Sequence, residues 1–286
     1  MATIRIDRAL IGKLNCIDKT ELKPGKYPFP DFLIVGPQRT GTTWLFKNLD
    51  FHPQIYIPPP KELYFFNLLR LRTHSLFQSN RLEWYSAYFS NKNVDYLKRC
   101  IRNLLTYKTV HLAKAKGEAT ASYAAMEEDL INEIAALNPD TKIIISIRHP
   151  VERAWSHAKK DLLRSRGREL REVEFHEFVS FYQDQYQLKC GSYSTMIARW
   201  ARIIPRSQIL ILIYEDIAEK PRQLLQNILT FLDVSTNNNY LSKDLYESVI
   251  NYTSNISIPD NHRDVLYDLF KHEITWLNKE FNLSYQ

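Results

Sequence analysis

The chain has 286 residues, 44% of them hydrophobic and 13% aromatic, and a formal charge of +6 at pH 7. This composition predicts a large buried core and excludes a wholly disordered chain. The positive charge suits a polyanionic ligand, although a solvated basic surface would produce the same excess.

The sequence lacks the patterns typical of several kinds of partner. Lysines and arginines do not alternate with aromatic residues in a basic run, so we expect no nucleic-acid partner. Cys16, Cys100 and Cys190 lack the spacing of metal ligands, and we expect no metal. Residues 1–13 have no apolar signal region, and no stretch reaches the ~18 apolar residues of a membrane span. We therefore expect a cytoplasmic protein without a membrane partner.

The first predicted strand covers residues 32–36 and ends in a turn that can bind a phosphate. Gly36 and Gly41 have the spacing of the glycines in the nucleoside-triphosphate loop G-x-x-x-x-G-K-[ST]. Thr42 stands at the lysine position of that loop, and Arg39 supplies the cation instead. A helix is predicted from Thr42, so its N-terminus and the loop N–H groups would hold a 5′-phosphate.

Further strands alternate with helices along the chain. The predicted strands are residues 55–57, 142–147 and 209–213, and the predicted helices are about 81–90, 126–137, 151–165, 194–203, 220–232 and 261–280. This alternation predicts an α/β, P-loop-like three-layer fold with a central parallel sheet flanked by helices. Ligands of such sheets bind beyond the carboxyl ends of the strands. The apolar residues of segment 68–78 follow neither the helix period nor the strand period, so this segment is predicted to be a loop near an acceptor site.

Several stretches in this order resemble the sulfotransferases that use 3′-phosphoadenosine 5′-phosphosulfate (PAPS), particularly the heparan-sulfate type and its bacterial relatives. Besides the phosphate loop, they are residues 61–66, 143–156, 191–200 and 209–232. The resemblance covers about residues 30–235 and implies one sulfotransferase domain over residues 1–286. Its expected parts are an N-terminal extension (1–30), a core nucleotide and catalytic region (30–235) and a C-terminal lid and helix (236–286), with residues 251–259 as an adenosine-side lid.

The resemblance also implies a donor site for PAPS, with 3′-phosphoadenosine 5′-phosphate (PAP) as the product and no metal. Arg148 and Ser156 match the pair that binds the 3′-phosphate, which distinguishes this donor from ATP. The other implied donor-binding residues are Arg39, Thr40, Gly41, Thr42, Thr43, Trp44 and Tyr193. Two alternatives remain at this point: Arg39 could merely cap the sheet edge, and Arg148 could pair with Glu152 or Asp161.

Three residues are implied to be catalytic. Glu62 matches the general base, Arg39 would stabilise the leaving phosphate oxygen, and Lys160 would meet the sulfuryl oxygens. Residues 63–66 are expected to form apolar walls that raise the pKa of the Glu62 carboxyl, with Lys61 opposing that rise. An exposed glutamate that merely starts a helix is the alternative for Glu62. Helical spacing places Lys160 on the face of Ser156 and turns His157 away, so His157 is expected to be structural.

The expected activity is sulfuryl transfer to a hydroxyl or to an amine or guanidinium nitrogen of a small molecule, such as a bacterial metabolite of the cyanobacterial alkaloid kind. A carbohydrate is the alternative acceptor. A P-loop kinase or NTPase remains a rival, because the strand 209–213 followed by Glu215 and Asp216 imitates an Mg²⁺ site. A catalytically inactive nucleotide-binding module is the other rival. The oligomeric state stays open.

Overall fold

The computed structural model of the chain describes residues 3–108, 112–248, 250 and 256–286. Within this part, five parallel strands form the central sheet in the order β4-β5-β3-β6-β7. A separate two-stranded antiparallel sheet pairs β1 with β2. The strands are β1 (Thr3–Ile6), β2 (Gly25–Pro28), β3 (Phe32–Gly36), β4 (Ile55–Tyr56), β5 (Ala115–Ala119), β6 (Lys142–Ile147) and β7 (Ile209–Ile213).

Helices pack on both faces of the sheet, which confirms the predicted three-layer α/β fold. They are α1 (Arg8–Lys13), α2 (Thr42–Phe51), α3 (Phe65–Leu68), α4 (Leu82–Ala87), α5 (Val94–Tyr107), α6 (Glu128–Leu137), α7 (Pro150–Ala158), α8 (Phe175–Gln183), α9 (Gln185–Gly191), α10 (Tyr193–Ile203), α11 (Asp216–Glu219), α12 (Pro221–Phe231), α13 (Lys243–Tyr246) and α14 (Asp260–Phe281). A π-helical turn, Lys159–Leu163, continues α7. None of the described helices is long and apolar enough to span a bilayer.

The middle strand β3 is buried on both faces, which explains its continuous apolar sequence. Leu33 and Val35 belong to the core on one side of the sheet, whereas Phe32 and Ile34 belong to the core on the other side. Side chains alternate along a strand, so one apolar run supplies both layers. The end of β3 is thereby fixed in the interior of the molecule, directly before the phosphate loop.

Several elements differ from the sequence predictions, among them β5 and the helix predicted at 151–165. The strand β5 was not predicted because its sequence, AKGEA, has no apolar run, yet all five of its residues are buried between β3 and β4. The predicted helix 151–165 is α7 followed by the π-helical turn. The predicted helix 220–232 corresponds to α12, with the short α11 before it.

Gly36 is predicted to tolerate no side chain. Its φ is +93°, and a Cβ there would lie 2.2 Å from the carbonyl oxygen of Ala121. Gly36→Ala should therefore lower the free energy of unfolding by about 1–3 kcal/mol or more, measured by urea denaturation. Gly12→Ala in α1 is the matched control, because nothing lies within 4 Å of its Cβ position. That change should stabilise the protein by about 0.5–1 kcal/mol. Equal effects of the two substitutions would contradict the prediction.

Candidate active site

The loop after β3 has the conformation of an anion-binding turn. Arg39 and Gly41 both have positive φ angles, 71° and 84°. Thr40 is buried; its hydroxyl donates to the Pro37 carbonyl at 2.6 Å, and its own carbonyl accepts from Ser146 on β6 at 2.6 Å. Gly41 is the N-cap of α2 and has no side chain to accept the first N–H groups of the helix. The first turn of α2 therefore offers its N–H groups to an anion.

Arg39, Arg148 and Ser156, which the sequence predicts to bind the donor, lie together at this loop. The Arg39 Nε–H donates to Ser156 Oγ at 2.9 Å, and Arg148 Nη1 donates to the Arg39 carbonyl at 3.2 Å. The Arg148 guanidinium also lies 4.4 Å from the centre of the Tyr214 ring. Arg148 Nη2 also lies 4.0 Å from Glu152 Oε2, so the alternative ion pair is present as a long contact.

The site concentrates positive charge. Burial lowers the pKa of Arg39, and the neighbouring Arg148 charge lowers it further. Burial likewise lowers the pKa of Lys159, whose Nζ donates to the Ile256 carbonyl at 3.1 Å and which experiences the charges of both arginines. Like charges that are partly desolvated favour a bound anion that neutralises them. Sequence reasoning missed Lys159; the signal was its place beside Lys160 on a helix that already carried Ser156.

The remaining predicted donor residues divide into two groups. Thr42 and Thr43 line the cavity at the loop. Trp44 and Tyr193 are buried: the Trp44 indole donates to the Tyr246 carbonyl at 3.0 Å, and the Tyr193 hydroxyl accepts from the Arg148 backbone N–H at 3.2 Å. Tyr193 thus holds the backbone of Arg148 in place. Direct contact of Trp44 or Tyr193 with a nucleotide stays a prediction. The predicted lid 251–259 falls largely outside the described residues, which resume at residue 256.

Glu62 is held rigidly at the carboxyl edge of β5. Its N–H donates to the Ala119 carbonyl at 3.0 Å, and the next N–H, of Leu63, donates to Thr120 Oγ1 at 3.0 Å. Glu62 has a φ of 72°, which this pair of hydrogen bonds fixes. Its carboxylate accepts from Lys61 Nζ at 2.8 Å. Glu62 does not start a helix as an exposed residue, because both it and Lys61 are largely buried.

The expectation that residues 63–66 form apolar walls around Glu62 is wrong in part. Leu63, Phe65 and Phe66 point into the main core on one side of the sheet. Of residues 63–66, only Tyr64 lines the cavity, and burial followed by its hydrogen bond with Glu62 raises the pKa of its hydroxyl. Glu62 and Tyr64 both have positive φ, so the sequence pattern does not indicate which way the side chains of residues 62–66 point.

The three predicted catalytic residues, Arg39, Glu62 and Lys160, line one cavity of about 590 Å³. The loop after α3 forms another wall of this cavity, and its place near an acceptor stays a prediction. The lining residues are Gln38, Arg39, Thr42, Thr43, Lys61, Glu62, Tyr64, Asn67, Leu68, Leu71, His74, Leu76, Ser122, His157, Lys160, Asp161, Tyr186 and Gln187.

The expectation that His157 points away from the site is wrong. His157 lines the same cavity as Lys160, with its Nε2 3.3 Å from Asp161 and its Nδ1 3.5 Å from Arg153. Burial lowers the pKa of His157, and these partners fit a neutral ring that carries its proton on Nε2. Lys160 pairs with Asp161 at 2.8 Å. Burial opposes ionisation of Asp161, but hydrogen bonds from His157 and Lys160 lower its pKa to about 2.

A second carboxyl, Glu118 on β5, lies buried beneath Glu62 and was not predicted. It accepts from the Tyr85 hydroxyl at 2.6 Å and from Thr120 Oγ1 at 3.1 Å. The same Thr120 hydroxyl receives the Leu63 N–H, so Glu118 supports the backbone that presents Glu62. Burial raises the pKa of Glu118 to about 7, although hydrogen bonds from Tyr85, Tyr123 and Thr120 limit the rise.

Relatives and solved structures place the chain among known proteins. A sequence model described as the sulfotransferase family matches residues 30–238. The chain is 28% identical over 229 residues to human bifunctional heparan sulfate N-deacetylase/N-sulfotransferase 2, and 29% identical over 236 residues to mouse bifunctional heparan sulfate N-deacetylase/N-sulfotransferase 3. These matches cover 74% and 77% of the chain but only 23% and 24% of the relatives. The chain thus spans about a quarter of their length.

The fold is shared with solved bacterial structures. The sulfotransferase from Alicyclobacillus acidocaldarius superposes with a TM-score of 0.61 and 24% identity, over 90% of this chain and 97% of that one. The sulfotransferase domain of the Synechococcus PCC 7002 olefin synthase superposes with a TM-score of 0.53 and 18% identity, over 90% and 98% of the two chains. At these identities the likeness establishes the fold.

Substitution of Glu118 is predicted to change how stability depends on pH. Below about pH 4.5 the Glu118 carboxyl is protonated in both the folded and the unfolded protein. Between pH 4.5 and about 7 it ionises in the unfolded protein alone. The wild-type protein should therefore lose up to ~3 kcal/mol of unfolding free energy over this range relative to Glu118→Gln. Urea titrations at pH 4.5, 5.5 and 7 measure the difference. Glu128→Gln on the surface is the control, and a pH-independent difference for Glu118→Gln would contradict the assignment.

Proposed function

The chain belongs to the sulfotransferase family, and we propose that it moves a sulfuryl group from PAPS to a hydroxyl or nitrogen of an acceptor without a metal. The observation that carries this proposal is the convergence of Arg39, Arg148 and Ser156 at the phosphate loop, with Glu62 lining the same cavity as Arg39. A kinase loop would offer a lysine where Thr42 stands.

The donor half of the site fits an adenosine nucleotide that carries two separate anionic groups. The loop N–H groups, Thr42 and Thr43 would hold the 5′-phosphosulfate, and Arg148 with Ser156 would hold the 3′-phosphate. Arg39 would stabilise the charge that accumulates on the leaving phosphate oxygen, since its guanidinium is already partly desolvated. Arg39 also donates to Ser156, so one side chain links the two halves of the donor site.

The acceptor half of the site supplies a base and a second cation. Glu62 would remove the proton from the attacking hydroxyl or amine, and Lys61 Nζ, 2.8 Å from its carboxylate, orients that group. Lys160 would meet the sulfuryl oxygens, and Asp161 orients it. The neutral His157 would hold Asp161 in place through its Nε2–H. We assign His157 a positioning role in this arrangement.

The cavity suits a small acceptor. Its volume of about 590 Å³ and the lining Tyr64, Leu68 and Tyr186 support a compact, partly apolar molecule, such as a bacterial metabolite with a hydroxyl, amine or guanidinium group. We place this reaction in the cytoplasm as part of natural-product tailoring. Relatives whose names specify heparan sulfate N-sulfotransferase favour a second candidate, an amine on a carbohydrate. A screen of both acceptor classes with labelled PAPS separates them.

The donor assignment is tested by comparing nucleotides. A thermal-shift panel with PAP, ADP and ATP, each with and without Mg²⁺, should show stabilisation by PAP that does not depend on Mg²⁺. Stabilisation by ATP with Mg²⁺ but not by PAP would favour the kinase reading instead. PAP binding without transfer to any acceptor in the screen would favour an inactive nucleotide-binding module.

Arg148→Ala is predicted to weaken PAP binding by about 10- to 150-fold, because a charged hydrogen bond contributes roughly 1.5–3 kcal/mol. Calorimetry with PAP measures the effect. Glu152→Ala is the matched control, since it removes the 4.0 Å neighbour of Arg148 and should leave PAP binding unchanged. Unchanged affinity in Arg148→Ala would refute the 3′-phosphate assignment.

Glu62→Gln is predicted to lower turnover by roughly 10²- to 10⁴-fold while PAP binding stays intact, because the amide keeps the shape of the carboxylate but cannot accept the proton. Turnover is measured at saturating PAPS and acceptor. Lys160→Ala is the comparison, since it should reduce turnover without removing the base. A Glu62→Gln turnover within about threefold of wild type would show that proton abstraction by Glu62 is not required.

A further inference from the structure

The helix α5 buries polar residues and exposes apolar ones, which is the reverse of an ordinary surface helix. Its buried residues are Tyr96, Arg99 and Asn103, two of which carry strongly polar groups. Arg99 bonds to Asp50 Oδ1 at 2.8 Å and to the backbone carbonyls of Asp50 and His52, and Asn103 donates to the Pro53 carbonyl at 3.1 Å. The polar face of α5 therefore docks onto the segment between α2 and β4.

The opposite face of α5 is apolar and open to solvent. Its residues and a leucine further along the chain are each between 44% and 66% exposed: Val94, Leu97, Ile101, Leu104, Leu105 and Leu112. The five on the helix recur at intervals of three, four, three and one, which forms a single stripe about 17 Å long. Burying polar groups while exposing a continuous apolar stripe marks an interaction surface.

Basic residues lie along this stripe. Lys98 and Arg102 lie on its flank and are more than half exposed, and the exposed Lys108 ends the helix. The single acidic residue within α5 is Asp95. An apolar stripe beside cations on a helix that lies flat on the protein is the pattern of an in-plane membrane helix. A dimer formed through this stripe would bring the lysines of the two copies together, where their like charges repel. Its contact area would be a single helix face, which is small for a stable interface.

We propose that α5 docks the protein onto an anionic lipid surface, with the apolar stripe inserted at the level of the headgroups and Lys98 and Lys108 contacting anionic headgroups. The contact is peripheral and requires no spanning helix. It is independent of the catalytic assignment, because α5 supplies none of the residues that line the active-site cavity. Docking would keep the enzyme at a surface where amphipathic acceptors concentrate.

Vesicle sedimentation with the full chain tests the proposal. Wild-type protein should bind vesicles of phosphatidylcholine with 30% phosphatidylglycerol, should bind pure phosphatidylcholine at least about tenfold more weakly, and should be released by high salt. Ile101→Ser/Leu105→Ser and Lys98→Glu/Lys108→Glu should each weaken binding to the anionic vesicles by at least about tenfold. Lys271→Glu/Lys279→Glu on α14 changes the net charge equally and should bind like wild type.

Thermal unfolding and PAP binding of each variant check that the fold is intact, and the changed side chains are exposed. Absence of wild-type binding to either kind of vesicle would overturn the proposal. Concentration-dependent dimers in light scattering that Ile101→Ser/Leu105→Ser abolishes, without vesicle binding, would also overturn it and identify a second copy as the occupant. Equal loss of binding in the α14 control would overturn the role of α5 and leave only a net-charge effect.

Discussion

The hydrogen bond from Arg39 to Ser156 is the contact on which the site depends, because it joins the loop after β3 to α7 across two neighbouring strands. The Ser146 hydroxyl and the Arg148 guanidinium add two more bonds from the β6 side to the same loop. Each bond uses a loop carbonyl or a cationic side chain. None of these three bonds uses a loop N–H group, and N–H groups at such a loop are the donors that would bind an anion.

The sequence predicts the apolar strands of the fold well and the polar ones poorly. Strands β3 and β6 are apolar on both faces, so their runs identify them without knowledge of their neighbours. Strand β5 is buried as completely, but it carries Glu118 and Lys116, whose partners come from distant segments. Polar residues that are satisfied by tertiary contacts cannot be distinguished from surface residues by local pattern. The polar inner face of α5 escaped prediction for the same reason.

The candidate site shows the same division. The resemblance to the sulfotransferases identified Arg39, Arg148 and Ser156, and the structure brings them together because a strand end and a helix start fix the backbone on which they stand. The environment of Glu62 could not be predicted, because it follows from left-handed backbone at Glu62 and Tyr64. One residue of positive φ redirects every side chain after it, so helical or strand spacing assigns the wrong partners. Glu118 is linked to the backbone beside Glu62 through the Thr120 hydroxyl, a tertiary contact that the local sequence does not indicate.

The π-helical turn that continues α7 has a consequence for how this helix divides its work. A π turn amounts to one extra residue within an α-helix, and it is often found at functional sites. Two adjacent lysines begin this turn: Lys159 lies near Arg39 and Arg148, and Lys160 lines the cavity that Glu62 also lines. Deletion of one residue would restore regular winding and rotate the following side chains by about 100°. Under the proposed function, this turn would present one cation to the donor nucleotide and the next to the acceptor side of the cavity.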